Sequence, residues 1–241
     1  LLREHNTDGS LKLRSDGTFY SKPGSGIPKS DLSSAVQATL DASSYVINVK
    51  TYGATGDGST DDTAAIQAAL NAVPAGGAKV LLPNGTYIVS STLSIDIDNT
   101  VLEGVGTSSV IQVPNTALGI DVITVGNGAT TRAQCAIRNL RITANGQKTA
   151  GVGIHLQKCF KIWLQNLLVE KQFRSLQFSN TTEVWLCESD IRDTKEHGLL
   201  LSNDLMSGFD WYVSNCVFDN PDVVNTGSGI HWDGGETLVV N

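Results

Sequence analysis

The sequence lacks the marks of several common protein classes. No apolar run approaches the roughly 20 residues that a membrane span needs, and no leader with charged, apolar and small-residue segments opens it. Positive charge is scarce. Lysine and arginine total 17 against 24 aspartates and glutamates, giving a net charge of -7, which argues against nucleic acid or membrane insertion. The four cysteines, Cys135, Cys159, Cys187 and Cys216, form no C-x-x-C pair, so neither a zinc site nor any other metal or cofactor is expected. The last three fall in different columns of the strand repeat, so free thiols in a protein assembled in a reducing cytosol are expected. Methionine occurs once whereas glycine occurs 24 times, the balance of a chain in which many turns join short strands. With 40% of its residues hydrophobic, the chain can bury a core as one elongated domain.

The stretch from Asn48 to Tyr87 organises the rest of the chain. Gly53, Gly56 and Gly58 make a tight turn. Their order is G-x-x-G-x-G with no Gly-Lys-Ser/Thr after it, so a phosphate-binding loop is not indicated. Ser59 or Thr60 is expected to cap a helix with Asp61 and Asp62 in its first turn. Ile66, Ala69, Leu70 and Val73 give that helix one apolar face. Pro74 and Gly76-Gly77 end it, and Lys79 to Leu82 reads as a buried strand closed by a Pro83-Asn84-Gly85 turn. One amphipathic helix between strands, with nothing helical after it, suggests a lid.

Beyond the lid the chain repeats. Ile162-Trp163-Leu164-Gln165-Asn166, Val184-Trp185-Leu186-Cys187-Glu188 and Trp211-Tyr212-Val213-Ser214-Asn215 align at spacings of 22 and 27 residues, and Ile137-Arg138-Asn139 fits the same frame. Ile142, Val169, Ile191 and Phe218 recur at a fixed offset. A second column holds Ile154, Leu176, Leu199 and Ile230. Repeats of this length, with short strands and no repeated helix, predict an all-β solenoid. Asn139, Asn166 and Asn215 share a bend, where asparagine tolerates the left-handed conformation. Glu188 breaks that asparagine ladder, so its coil is expected to bend differently or to face water there.

The motifs Tyr52-Gly53-Ala54, Gly56-Asp57-Gly58, Thr60-Asp61-Asp62-Thr63, Ala65-Ile66, Ala69-Leu70, Pro83-Asn84-Gly85-Thr86-Tyr87 and Leu102-Glu103-Gly104-Val105-Gly106 resemble the start of the pectate-lyase-like superfamily, in its bacteriophage tail-spike branch. The resemblance covers Val46 to Asn241. It implies a right-handed parallel β-helix over 48–241 with an N-terminal capping α-helix that plugs the open end. It further implies a virion component of a phage tail, assembled in the host cytoplasm and acting outside it, a parallel homotrimer, and recognition of a host-surface polysaccharide. Residues 1–47 read as a separate stem. Leu11 to Leu13 and Thr18 to Tyr20 flank an Asp-Gly turn, a short helix comes next with Leu32, Ala35, Val36 and Leu40 on one side, and the run from Gly26 to Leu40 resembles linkers of tail-fibre and baseplate proteins. An ordinary interdomain connector is the other reading. The chain opens without Met and stops within a strand pattern, as expected of a trimmed piece of a longer polypeptide.

Candidate chemistry is sparse. Alternation points Ile154/Leu156, Leu176/Phe178, Leu199/Leu201 and Ile230/Trp232 inward and leaves His155, Gln177, Leu200 and His231 outward. That outward face is where the resemblance puts a substrate groove. It lacks the carboxylates that a calcium-assisted lyase would need. The orders Asn6-Thr7-Asp8, Asp61-Asp62 and Glu196-His197-Gly198 echo polygalacturonase-type hydrolases but cannot converge on one coil face. Asp190, Asp193, Asp210, Asp219 and Asp222 form the densest acidic patch and could supply a general acid and base for glycoside hydrolysis, or simply cap turns. His155 and His231 have neither metal-ligand spacing nor an evident partner. Trp163, Trp185 and Tyr212 should project outward on successive coils as an aromatic strip, suited to sugar rings or to a subunit interface. Lys161 and Glu183 should form a minor ion pair beside it. The functions that remain are a polysaccharide-recognising tail protein, a polysaccharide depolymerase, or an architectural tail component.

Overall fold

The structure, a computed structural model, describes residues 4–5, 11–12, 46–202, 210–219, 230–232 and 237–240. The chain divides into two compact units, Leu1–Tyr45 and Val46–Asn241. In the first, Glu4–His5 pairs antiparallel with Leu11–Lys12. The expected second arm at Thr18 to Tyr20 and the short helix near Leu32 to Leu40 lie outside the described residues.

Among its described residues, the second unit is all-β apart from one α-helix and two 3-10 turns, and its strands pair in parallel. The chain visits three rows of strands in turn. One row is a six-stranded sheet in which 93–95, 123–125, 152–157, 174–179, 199–202 and 230–232 lie side by side. The other two rows belong to one larger sheet that is bent along its length. Strands 101–103, 136–138, 162–165, 184–187 and 211–214 form the row before the bend, and 109–113, 141–144, 168–170, 190–192 and 217–219 the row after it. The registers are those that the repeat predicts. Ile162 pairs with Val184 and Val184 with Trp211. Ile154, Leu176, Leu199 and Ile230 are successive partners, as are Ile142, Val169, Ile191 and Phe218. Because strand side chains alternate, this register sends one apolar ladder inward from each row. Ile137, Ile142, Ile154, Leu156, Ile162, Leu164, Leu176, Phe178 and Leu199 have no accessible surface.

Corners between rows require the backbone to turn sharply outward, and they do so in the left-handed region. Asn139, Asn166 and Asn215 have φ of 57°, 50° and 52°. Of the two outcomes expected at Glu188, a different bend is not found, since it takes the same conformation with φ 53°, whereas exposure to water is. The bend is imposed by the ladder: the Glu188 N–H donates to the Ser214 carbonyl at 3.1 Å as part of the parallel stack. Its carboxylate also accepts from the Gln165 amide at 3.0 Å, while the Asn166 amide donates to Asn139 Oδ1 at 2.9 Å. Further corner columns hold Asn99, Gln134, Lys161 and Glu183, then Lys158 and Asn180, then Lys171 and Asp193, all at positive φ. A left-handed non-glycine residue costs about 1–2 kcal/mol. Backbone bonds such as Gln134 N–H to Phe160 O at 3.0 Å and Lys158 N–H to Ser179 O at 2.9 Å hold it there.

The lid helix, α1, spans Thr63–Asn71 and buries Ile66, Ala69 and Leu70 as expected, with Val73 buried just after it. Its start differs from the prediction. Ser59 and Thr60 lie in the strand Asp57–Asp61, their N–H groups taken by the Asp57 carboxylate at 2.8 and 2.7 Å. The N-cap position is Asp62, but its carboxylate does not cap the helix. It accepts instead from the N–H groups of Thr55 and Gly56 at 2.6 and 3.0 Å, tying the glycine turn to the helix. Gly56 is obligatory at φ 62°, since a Cβ there would stand 2.8 Å from the buried Tyr87 ring. Gln67 of α1 meets the edge strand 93–95, its Oε1 accepting from Ser94 N–H at 2.8 Å and its Nε2 donating to Ser94 O at 3.1 Å.

All four cysteines are free thiols. Burial pushes Cys135 up to about 11 and Cys159 up to about 12. Ion pairs link adjacent rungs. Glu103 accepts from Lys79 at 2.6 Å and Arg138 at 3.2 Å, and Glu170 accepts from Arg141. Partial burial raises the pKa of both carboxyls, yet these cationic partners, with Thr143 at Glu170, outweigh it and hold both below their ordinary values. A folded-state pKa below the unfolded one contributes stability that is full above the unfolded value and is lost as pH falls through the folded one. The melting temperature is therefore expected to stay level above pH ~5 and drop through the acid range below ~4.5, where free glutamate titrates. Glu103→Gln should flatten that drop in calorimetric scans, and an unchanged acid limb would refute the assignment.

Candidate functional site

The outward face of the six-stranded sheet carries a continuous polar row. Thr124 is in register with His155, and His155 with Gln177. Before them Ser94 pairs with Thr124, their hydroxyls 3.2 Å apart. Leu200 holds the next outward position, in register with Gln177, but is only 8% exposed. Outward direction alone does not make a leucine exposed when the long side chain of Gln177 stands beside it. His231 pairs with Leu200 through the backbone, and its side chain lies outside the described residues.

His155 has partners that the sequence does not reveal. Its Nδ1 lies 2.9 Å from Asp121 Oδ2, and its Nε2 lies 3.1 Å from Ser179 Oγ. Asp121 also accepts from Val152 N–H at 2.9 Å. Burial works to raise the Asp121 pKa, but the hydrogen bond and charge of His155, the Val152 N–H and the charge of Lys148 overcome it, so the carboxyl stays below its usual value. A carboxylate at Nδ1 fixes the imidazole proton on that nitrogen and leaves the Nε2 lone pair facing Ser179. Gln157 Nε2 lies 3.0 Å from the same Nδ1. Lys148 lies beneath the site, fully buried, with Nζ donating to Ile120 O. Burial pulls its pKa down to about 8 against the opposing charge of Asp121.

Ser179 is half-buried at the end of strand 174–179. It receives a hydrogen bond from Gln177 Nε2 at 3.2 Å and lies 3.1 Å from Ser202 Oγ. Arg174 Nη1 donates to Gln177 Oε1 at 3.4 Å, which turns the amide NH2 toward Ser179, and Glu196 holds Arg174.

The second feature is the aromatic strip. Trp163 pairs with Trp185 and Trp185 with Tyr212 in consecutive rungs. Ring centroids are 5.0 and 5.7 Å apart, with interplanar angles of 9° and 6°. Trp163 and Tyr212 are 39% and 38% exposed, while Trp185 is half-buried between them. The rings therefore occupy one another's faces and present mainly their edges to solvent. Lys161 and Glu183 stand 3.9 Å apart beside the strip, as anticipated.

The acidic patch is dispersed. Asp190 is held by Arg192, with Nε at 2.6 Å from Oδ1. Asp219 is exposed two residues beyond Val217, the rung partner of Asp190. Asp210 is exposed at the start of a strand in a different row. Asp193 is a corner residue facing a cleft of about 350 Å3 with Lys171 and Lys195. Asp222 lies outside the described residues. Among the described residues, no three His, Cys, Asp or Glu side chains are grouped to hold a metal ion, and no helix is long and apolar enough to cross a membrane.

Comparison with known proteins places this geometry in context. The chain is 39% identical over 108 residues to alginate lyase 7 of Azotobacter vinelandii, covering 44% of this chain and 12% of that protein. It is 31% identical over 115 residues to the pre-neck appendage protein of Bacillus phage B103, covering 47% of this chain and 13% of that one. The chain thus spans about an eighth of the length of these two relatives. Among solved structures, ORF18 of Geobacillus virus E2 superposes with a TM-score of 0.64 at 20% identity, over 97% of this chain and 54% of that one. The A-module of the A. vinelandii mannuronan C-5 epimerase AlgE4 does so with 0.57 at 23%, over 76% and 58%. Residues 46–241 match the family described as rhamnogalacturonase A/epimerase, pectate lyase-like, and the chain belongs to that family.

Proposed function

We propose that this chain is part of a phage tail appendage, wound as a right-handed parallel β-helix, that binds a host-surface polysaccharide along the outward face of its six-stranded sheet. One observation carries the reading. Ser94, His155 and Gln177 present hydrogen-bonding groups on one face, with Thr124, 8% exposed, on the rung between Ser94 and His155; the rungs are spaced about 4.8 Å apart, which suits a chain of hydroxylated rings. The relatives named as phage appendage proteins and as polysaccharide lyases or epimerases support the two halves of the proposal. The aromatic strip serves better as the contact between three copies of the chain than as a sugar platform, because ring faces already stacked on each other are not free to cover a sugar. A depolymerase is the second reading, favoured by the lyase and epimerase relatives. Its acid and base would have to lie beyond the described residues or outside this chain, since the described carboxylates do not face one another across a groove.

The test is retention of the purified protein on a panel of immobilised bacterial capsular and cell-wall polysaccharides, with the released material sized by chromatography. Binding without shortening is expected, with affinity reduced about tenfold or more by Gln177→Ala, the scale of losing one or two polar contacts. Shortened oligosaccharides would favour the second reading, and no retention on any member of the panel would overturn the first.

A further inference from the structure

We propose that Asp121, His155 and Ser179 form a hydrolytic triad that removes small ester-linked acyl groups from the polysaccharide on this face. The glycan identity of the substrate rests on the proposed function, whereas the ester-cleaving chemistry rests on the three side chains alone.

The arrangement runs diagonally across three consecutive rungs. Asp121 precedes strand 123–125, His155 lies in 152–157 and Ser179 ends 174–179. A carboxylate at Nδ1 and a hydroxyl at Nε2 are the two contacts that make an imidazole a base toward that hydroxyl, and here they measure 2.9 and 3.1 Å. Ordinary polar ladders on a parallel sheet join like residues in register, as Ser94 and Thr124 do. The His155–Ser179 contact is out of register, since His155 pairs with Gln177 and Gln157 with Ser179. A donor is also in place. The Gln177 amide, oriented by Arg174 and through it by Glu196, points its NH2 at Ser179 Oγ. An oxygen anion on a carbon newly bonded to Oγ would lie within that amide's reach.

The chemistry narrows the substrate. Cleaving a glycosidic bond takes two carboxyl groups facing the sugar, and Asp121 is occupied by His155 and Val152 N–H. A serine activated by one imidazole attacks a carbonyl carbon instead. The side chains around Ser179 are Gln157, Gln177 and Ser202, which offer no apolar trough for a long acyl chain, so an acetyl-sized group fits. In the first step Ser179 Oγ bonds to the acyl carbon while its proton passes to His155 Nε2. The sugar oxygen then leaves and takes that proton, regenerating the hydroxyl. Water attacks the acyl-serine, giving its proton to Nε2, and the carboxylic acid departs as Ser179 Oγ recovers a proton. No oxidant, reductant or metal is consumed.

The experiment uses the full chain and needs no glycan. A fluorophosphonate probe should label the folded protein at Ser179, located by peptide mass spectrometry, and p-nitrophenyl acetate should be hydrolysed above the buffer rate. Ser179→Ala should abolish labelling and return hydrolysis to background. Asp121→Asn should slow both by about 100-fold or more, because the asparagine favours the wrong tautomer, with circular dichroism confirming that each variant keeps its strand content. No label on Ser179 in the folded wild type, labelling elsewhere only, or undiminished hydrolysis by Ser179→Ala would overturn the triad. Labelling without glycan retention would defeat the polysaccharide reading alone, and retention without labelling would defeat the triad alone.

Discussion

Trp211→Ala should lower the unfolding free energy by about 3–5 kcal/mol, the range for removing a large aromatic from a packed core. Trp211 is 1% exposed, and its indole N–H donates to the Thr181 carbonyl at 3.0 Å. The substitution opens a void where Val184 and its rung neighbours pack and removes that donor from a buried carbonyl. The next residue is the control. Tyr212 points out from the same strand and stacks on Trp185, so Tyr212→Ala should cost the single chain only about 0.5–1.5 kcal/mol. Urea denaturation of both variants decides the matter, and equal losses would contradict the alternation on which the core is built.

The second large effect is expected at Gly151. Its φ is 75°, and an added Cβ would sit 2.2 Å from the Ile120 carbonyl oxygen and 2.5 Å from its carbon. Both obstacles are backbone atoms, so no rotamer change relieves them. Gly151→Ala should therefore cost about 2–5 kcal/mol, combining left-handed strain with overpacking. Gly128 separates the two terms. It has the same φ of 75°, but its nearest neighbour to an added Cβ is the Gln157 side chain at 3.8 Å, so Gly128→Ala should show the conformational cost alone, about 1–2 kcal/mol. If the two variants melt alike, the contact with Ile120 is not restrictive. Asp121 comes directly after Ile120, so the same clash would also move the carboxylate away from His155.

The legible part of the chain is the part that repeats. Ile154, Leu176 and Leu199 recur because each rung must send an apolar side chain to the same place, and periodicity records that requirement directly. The corners are less visible. Asn139 and Asn166 announce a left-handed bend, but Lys158, Lys161, Lys171 and Glu183 adopt it under the constraint of the ladder, against the preference of their residue types. Glu188 takes the asparagine bend for the same reason and stands exposed to water. The helix starts later than its capping pattern suggests because Asp57 competes for the N–H groups of Ser59 and Thr60, a rivalry that such patterns do not encode. The Asp121–His155–Ser179 contact is hidden by register. Asp121 precedes Ile137, where the aligned repeat frame begins, so nothing in the sequence places it one rung from His155. The aromatic strip is legible as a column, but the turning of its rings toward one another is not.

Gln67 covers one edge of the six-stranded sheet. By occupying the amide and carbonyl of Ser94, one glutamine side chain removes the template that an incoming strand from another molecule would copy. With Gln67→Ala the amide and carbonyl of Ser94 would lose that cover, and this edge would be open to a strand from another molecule.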